Sequence, residues 1–329
     1  NNEHRFKLLA GFQNEINRYK DLGAGRYGLL KTDFPSINTT TGLSSSGVEV
    51  PPSVSGMYSE WSTAGFFGRI NYDFNSKYLF EINLRYDGSS RFSQSKQWGL
   101  FPSASVGWNV AEESFFNSIK EYVNYLKIRG SYGVLGNQNT SSVYPTYSAM
   151  GIGIANGTYL INNKKPNIAW APSMISASLT WEKIISHNYG VDYGIFDNRL
   201  SGSFDYYIRY TNDMVGPSIE LPEVLGTAVP LANNTDLKTW GFEFEIGWRD
   251  RLKNGLGYGA KFILSDSQSK ILRYSNPTNS LTKYREGQML GEIWGYKTIG
   301  IAKTQEEMDN HLASLTEGGQ TAIGTNWKA

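Results

Sequence analysis

Hydrophobic and polar residues alternate along two neighbouring segments of the chain. In residues 66–74, one set of alternate positions carries Phe, Gly, Ile, Tyr and Phe, and the other carries Phe, Arg, Asn and Asp. Residues 78–87 repeat the pattern after the short stretch Asn75, Ser76 and Lys77. A period of two places successive side chains on opposite faces of a strand. The pair therefore predicts a β-hairpin with one apolar and one polar face.

The same alternation recurs along most of the chain. Further segments that show it are 6–16, 104–110, 126–134, 189–195, 200–209, 240–248 and 256–264. The pattern predicts about nine strands in total. Most would have the length of about 9–11 residues that a tilted membrane-spanning strand needs, whereas strands of globular proteins average about 5–6 residues.

The predicted connections differ in length at the two ends of the strands. Short turns are predicted at 75–77, 197–198 and 250–254, and long connections at 17–60, 136–181 and 211–235. Short turns at one end and long loops at the other are typical of bacterial outer-membrane barrels, which also carry aromatic girdles at both membrane interfaces. The predicted girdle residues are Trp61, Tyr72, Tyr78, Trp108, Tyr193, Trp240 and Trp248. A soluble antiparallel sandwich is the structural alternative.

In such an all-β transmembrane antiparallel barrel the apolar face contacts lipid and the polar face lines the lumen. The predicted lumen-facing residues are Arg69, Asn71, Asp73, Glu81, Asn83, Arg85, Glu243 and Glu245. We interpret the carboxylates among them as wall residues rather than as an acid–base pair.

Composition and motifs exclude several other functions. A net charge of +1 argues against nucleic-acid binding, and the absence of Cys excludes Cys-ligated metal and Cys nucleophiles. His4, His187 and His311 lack the spacing of a metal site. The G-x-G-x-x-G match at 23–28 lacks the flanking strand and helix of a dinucleotide site. We expect no catalytic residue, no metal and no cofactor, and therefore no enzyme.

Short runs within these segments also carry a family resemblance. They include GFFGRINYD at 65–73, KYLFEINLRYDGSSRF at 77–92, WGLFPS at 98–103, GNQN at 136–139, NRLSGSFDYY at 198–207 and GFEF at 241–244. Together they resemble the barrel of SusC/RagA-type TonB-dependent outer-membrane transporters of Bacteroidetes. The matches follow the family order and cover most of the chain.

The resemblance implies a barrel of about 22 strands, an internal plug domain and a TonB box that engages TonB. It also implies a SusD-like surface lipoprotein and import of an oligosaccharide or peptide across the outer membrane. About nine strands is an odd number, whereas single-chain bacterial barrels have an even one. We therefore expect residues 1–329 to be a partial TonB-dependent receptor β-barrel domain, with the plug, the TonB box and the closing strands absent from this chain. The alternatives are a siderophore or vitamin receptor and a secreted β-rich adhesin or binding module.

The connection at 87–98 is the candidate substrate contact. Aromatic rings stack on the apolar faces of sugars, while Arg and Gln side chains bond hydroxyl groups. The predicted contacts are Arg91, Phe92, Gln94 and Trp98. A structural role is the alternative for this connection. Farther along, Thr304 and Glu307 form a capping-box pattern that predicts a short helix.

Overall fold

A computed structural model describes residues 3–140, 142–154, 160–172, 174–176, 178–218, 224, 226, 229–293, 295, 297–298 and 300–315. In this part of the chain, nine antiparallel strands form one sheet in the order β1-β2-β3-β4-β5-β8-β9-β10-β11. The strands are β1 (His4–Gly25), β2 (Ser53–Phe74), β3 (Tyr78–Ser89), β4 (Trp98–Asn109), β5 (Val123–Asn137), β8 (Glu182–Ile195), β9 (Leu200–Pro217), β10 (Leu231–Arg251) and β11 (Gly257–Arg273). The short strands β6 (Ile152–Ile154) and β7 (Asn167–Ala169) pair separately.

The all-β prediction is confirmed, and the observed strands are longer than the alternation indicated. The pairing of β1 with β2 runs without a break from His4 opposite Phe74 to Gly25 opposite Ser53. The first long connection is therefore 26–52 rather than 17–60. Alternation is lost in this extension, which lies next to the connection 26–52 at the end of the strands. An apolar band about 25 Å tall covers only part of strands of 22 residues, so no lipid contact selects apolar residues for one face there.

The predicted difference between the two ends of the sheet is also observed. At the short-turn end lie the connections 75–77, 110–122, 196–199 and 252–256. At the long-loop end lie the connections 26–52, 90–97, 138–181 and 218–230. Asn75 and Ser76 both adopt positive φ, with values of 52° and 59°, which suits a tight hairpin turn.

Strand register assigns every strand residue of the central sheet to one of two faces. Residues paired directly across antiparallel strands point to the same side. One such row crosses all nine strands through Arg5, Asp73, Leu79, Gly107, Arg129, Gly190, Asp205, Glu243 and Ser265. We call this side the polar face. The opposite side, the apolar face, carries Phe66, Ile70, Tyr72, Phe80, Ile82, Phe204, Phe242 and Phe244.

Aromatic clusters bound the apolar face at both ends. Near the long-loop end the rings of Tyr86 and Trp98 stack with centroids 4.9 Å apart. Near the short-turn end the rings of Phe74 and Tyr78 are 6.2 Å apart, and Trp108 lies opposite Tyr78. From Trp98 to Trp108 the strand runs about 34 Å, which a tilt of about 40° reduces to about 26 Å. This distance matches the apolar band of about 25 Å in outer-membrane barrels.

One predicted girdle residue is placed differently. Trp61 shares strand β2 with Arg69 and lies an even number of positions from it, so its side chain is on the polar face. The guanidinium of Arg91 lies over its ring, 4.7 Å from the centroid. The girdle prediction for Trp61 is therefore wrong.

Buried side chains form two small clusters instead of one central core. Phe92, Phe101, Val134 and Trp181 pack together at the long-loop end. Val110, Ala111 and Phe116 pack together at the short-turn end, within and beside two 3-10 turns. Between them, large apolar side chains stay exposed, with Phe66 at 54% and Ile82 at 57%. Such exposure is expected where lipid rather than water covers the surface.

The described residues from Gly291 onward belong to a second compact unit. Its helix α1 spans Gln305–Ser314. The Thr304 hydroxyl accepts a hydrogen bond from the Glu307 N–H at 3.2 Å, and the Glu307 carboxylate accepts one from the Lys303 N–H at 2.8 Å. The short helix predicted from the capping pattern is thus confirmed.

Candidate functional site

All eight residues predicted to face the lumen lie on the polar face. Four of them form one hydrogen-bonded group where β2 and β3 pair. The Glu81 carboxylate accepts hydrogen bonds from Asn71 at 2.5 Å and from Asn83 at 2.8 Å. Arg69 donates to the Asn83 side-chain oxygen at 2.5 Å and lies 3.8 Å from Glu81. The register therefore brings together residues that the sequence identified only one strand at a time.

Three of the other four predicted wall residues pair locally. Asp73 lies 3.8 Å from Arg5, and Arg85 makes two 3.0 Å bonds to Asp87. Glu245 lies 2.7 Å from the Lys261 ammonium. Each of these three charges has an opposite charge beside it, as expected of residues that form a polar wall.

An ion cluster that the sequence did not reveal lies on the polar face between β5, β8 and β9. Arg129 donates to Asp205 at 2.6 Å and to Asp192 at 3.1 and 3.2 Å. Its guanidinium passes over Gly190, where an added Cβ would lie 2.5 Å from the central carbon. The second Asp205 oxygen, Oδ1, is buried without a hydrogen-bond partner. These partners come from three strands, so only the strand register reveals the cluster.

A cavity of about 550 Å³ opens on the polar face where β1 to β5 approach the short-turn end. Its charged lining residues are Arg5, Lys7, Arg69, Asp73, Glu81 and Lys127. Four cations face two carboxylates there, and Arg69 and Asp73 are already paired with residues of the same wall. The cavity therefore offers a polar, net-positive surface near the short-turn end of the sheet.

The four predicted substrate contacts occupy different environments. Phe92 is only 1% exposed and packs against Trp181, with ring centroids 5.4 Å apart. Trp98 lies on the apolar face beside Tyr86. The Phe92 ring is closed off by its neighbours, and the Trp98 ring lies on the face opposite the polar one. Phe92 anchors its own connection, and Trp98 belongs to the aromatic girdle.

The two polar residues of this connection remain candidates for contact. Gln94 is exposed. Arg91 lies over the Trp61 ring on the polar face, and its Nε is buried without a hydrogen-bond partner.

Glu113 connects the aromatic residues of the short-turn end. Its carboxylate accepts hydrogen bonds from the Tyr78 hydroxyl at 2.6 Å, the Trp108 indole N–H at 3.1 Å and the Lys77 ammonium at 3.3 Å. These bonds, that of Tyr78 first, hold the pKa of Glu113 below its usual range. The ionised carboxylate therefore fixes three side chains at this edge of the sheet.

Acidification is expected to weaken the hydrogen bonds that the Glu113 carboxylate accepts. A carboxyl group whose pKa is lowered by folding stabilises the protein fully above its unfolded pKa of about 4.3, and that contribution is lost as pH falls through the lower folded pKa. We expect the Tm of the wild type to decrease once the pH is lowered below about 4.3. The Tm of the Glu113→Gln variant should decrease less over the same pH range. Thermal unfolding in detergent between neutral and acidic pH measures this. Parallel pH curves for the two proteins would contradict it.

Comparisons with known proteins bear on this geometry. The family model described as TonB dependent receptor-like, beta-barrel matches residues 1–296. The chain belongs to this family. The resemblance deduced from the sequence runs is confirmed, and the chain is an outer-membrane protein. The alternatives of a soluble sandwich and a secreted adhesin are therefore wrong.

Individual TonB-dependent receptors match most of the chain. TonB-dependent receptor P3 of Formosa agariphila is 29% identical over 311 residues, which are 91% of this chain and 30% of that protein. SusC of Bacteroides thetaiotaomicron is 28% identical over 224 residues, which are 65% of this chain and 21% of that protein. The chain thus spans less than a third of the length of these relatives.

Solved structures share the fold. The RagAB peptide importer in its closed-closed state matches with a TM-score of 0.69 at 20% identity, over 84% of this chain and 29% of that one. The outer membrane transporter YddB from Escherichia coli matches with a TM-score of 0.52 at 10% identity, over 82% of this chain and 31% of that one. These identities establish the fold alone.

Two kinds of feature are absent from the described residues. Among them, no helix is long and apolar enough to cross a membrane. No group of three or more His, Cys, Asp or Glu side chains in that part of the chain could hold a metal ion. The expectation that the receptor barrel has no metal, no cofactor and no catalytic residue stays a prediction.

Proposed function

We propose that this chain is part of the barrel wall of a TonB-dependent importer that takes up an oligosaccharide or a peptide across the outer membrane. The observation that carries the proposal is the two-faced sheet of nine strands, with aromatic girdles on one face and paired charges on the other. In a closed barrel the paired charges line the lumen. Lumen-facing roles follow for Arg69, Asn71, Asp73, Glu81, Asn83, Arg85, Glu243 and Glu245.

The proposal places the gating parts outside residues 1–329. In the described sheet β1 and β11 are edge strands, and a membrane-spanning strand needs a paired neighbour on both sides. The chain also covers only about 30% of relative P3. We therefore treat it as a partial receptor barrel whose closing strands, plug and TonB box belong to other regions of the whole protein. TonB would act through those regions.

A SusD-like surface lipoprotein is the proposed partner at the long-loop end. The matches to SusC and to the RagAB peptide importer favour this class over a siderophore or vitamin receptor. The long connections 26–52 and 138–181 give that end a large surface for a partner and for substrate. Within the connection 90–97, Arg91 and Gln94 are the proposed substrate contacts.

Uptake by cells tests the proposal. A strain lacking the whole gene is complemented with the wild-type gene or with a version deleted for the TonB box. Labelled oligosaccharide and peptide pools are supplied, and labelled iron–siderophore complexes are supplied in a parallel assay. We expect accumulation of one pool only with the wild-type gene and only in energised cells. Uptake that survives a protonophore would indicate a passive pore, and uptake of iron–siderophore complexes instead would assign the alternative class. Both results would overturn the proposal.

A further inference from the structure

Two lysines face each other on the apolar face at its long-loop edge. Lys238 of β10 pairs directly with Lys270 of β11. Both share the apolar face, because Lys238 and Trp240 are two positions apart on the same strand and the Thr239 and Ser269 hydroxyls between them bond at 2.8 Å on the opposite face. Like charges directly opposite each other destabilise a pair of strands.

Aromatic rings indicate how deep in the membrane the two lysines lie. The Lys238 ammonium lies over the rings of Tyr210 and Trp240, 5.6 and 5.4 Å from their centroids. Along β10 the apolar face runs Trp240, Phe242, Phe244, Ile246 and Trp248, so tryptophan bounds the apolar run at both ends. Lys238 is the next residue on this face beyond the run, at the level of lipid headgroups.

No carboxylate neutralises the pair within the described residues. Neither Lys238 nor Lys270 forms an ion pair there. Asp236, which precedes Lys238 on β10, is bound to Arg273 at 2.7 and 2.8 Å. Asp266 lies opposite Phe242 and four positions from Lys270, about 13 Å along the strand. Two half-buried cations are therefore left facing the same side.

We propose that Lys238 and Lys270 bind the phosphate group of an anionic lipid in the outer leaflet of the membrane. The long-loop end of such barrels is extracellular, so this edge meets the outer leaflet. A phosphate between the two ammonium groups removes their repulsion and accepts hydrogen bonds from both. The Trp240 and Tyr210 rings, which prefer the membrane interface, flank the headgroup.

Lipid titration of the purified whole protein tests this inference. Native mass spectrometry in non-ionic detergent measures binding of monophosphoryl lipid A and of the same lipid after enzymatic removal of its phosphate. We expect Lys238→Gln with Lys270→Gln to weaken binding of the phosphorylated lipid about thirty-fold and either single change about five-fold. The double Lys→Arg variant keeps the charges and should bind like the wild type. The control Lys253→Gln lies in a short turn at the other end and should have no effect.

Thermal unfolding separates a lipid site from lysines with a purely structural role. Without anionic lipid, Lys270→Gln should raise the Tm because it removes the repulsion; with phosphorylated lipid A, it should lower the Tm relative to the wild type. Equal binding of phosphorylated and dephosphorylated lipid, or the same direction of the Tm change in both conditions, would overturn the proposal. A Tm increase with millimolar inorganic phosphate equal to that with the lipid would assign the pair to free anions and overturn the lipid site.

Discussion

Replacing Phe92 with alanine is expected to destabilise the receptor barrel by about 3–5 kcal/mol, the usual cost of removing a buried phenylalanine ring. Phe92 is 1% exposed and packs with Phe101 and Trp181. The Trp181 indole donates to the Gln97 carbonyl at 2.8 Å. The same cluster therefore also holds the last residue of the connection 90–97. Urea unfolding of the whole protein in lipid measures the loss.

Gln94→Ala is the matched control in the same connection. Gln94 is exposed, so its removal should change the free energy of unfolding by no more than about 0.5 kcal/mol. If Gln94 contacts substrate, as proposed, the variant should weaken substrate binding without loss of stability. The opposite pattern, with Phe92→Ala stable but defective in binding, would restore Phe92 as a substrate contact.

The strands and their two faces were predictable because membrane strands expose each face to a different medium. Residues 66–74 and 78–87 carry this contrast in every second position, and the register of β2 with β3 confirms it. The position of Trp61 was also available from the sequence, since counting back from Arg69 in steps of two reaches it. The aromatic character of Trp61 suggested a girdle, but its position in the alternation decides the face.

The sequence did not show that Phe92 is buried whereas Gln94 is exposed. A loop has no periodicity, and the burial of Phe92 depends on Trp181, which lies far along the chain at the end of another long connection. The Arg129 cluster was hidden for a related reason. Its three charges lie on three strands, and their proximity follows from a register that alternation alone does not fix.

Removing the Arg129 charge is expected to cost about 2–4 kcal/mol of stability. The side chains of Arg129, Asp192 and Asp205 are 32%, 25% and 14% exposed. Arg129→Met leaves two partly buried carboxylates without their shared cation, and one oxygen of Asp205 already has no partner. Breaking a fully buried ion pair costs about 3–5 kcal/mol. We expect a smaller loss of stability here, because the three side chains are partly exposed. Urea unfolding in lipid is again the measurement.

Three further variants identify the cause of that loss. Arg18→Met breaks an ion pair with Glu60 whose side chains are 67% and 38% exposed, and it should cost far less stability than Arg129→Met does. Adding Asp192→Asn and Asp205→Asn to Arg129→Met removes the uncompensated charges and should recover much of the stability. Gly190→Ala should also destabilise the barrel, because the alanine Cβ would occupy the space of the Arg129 guanidinium. Equal losses for Arg129→Met and Arg18→Met would mean that water screens the Arg129 cluster, and that this cluster contributes no more to the wall than an exposed ion pair does.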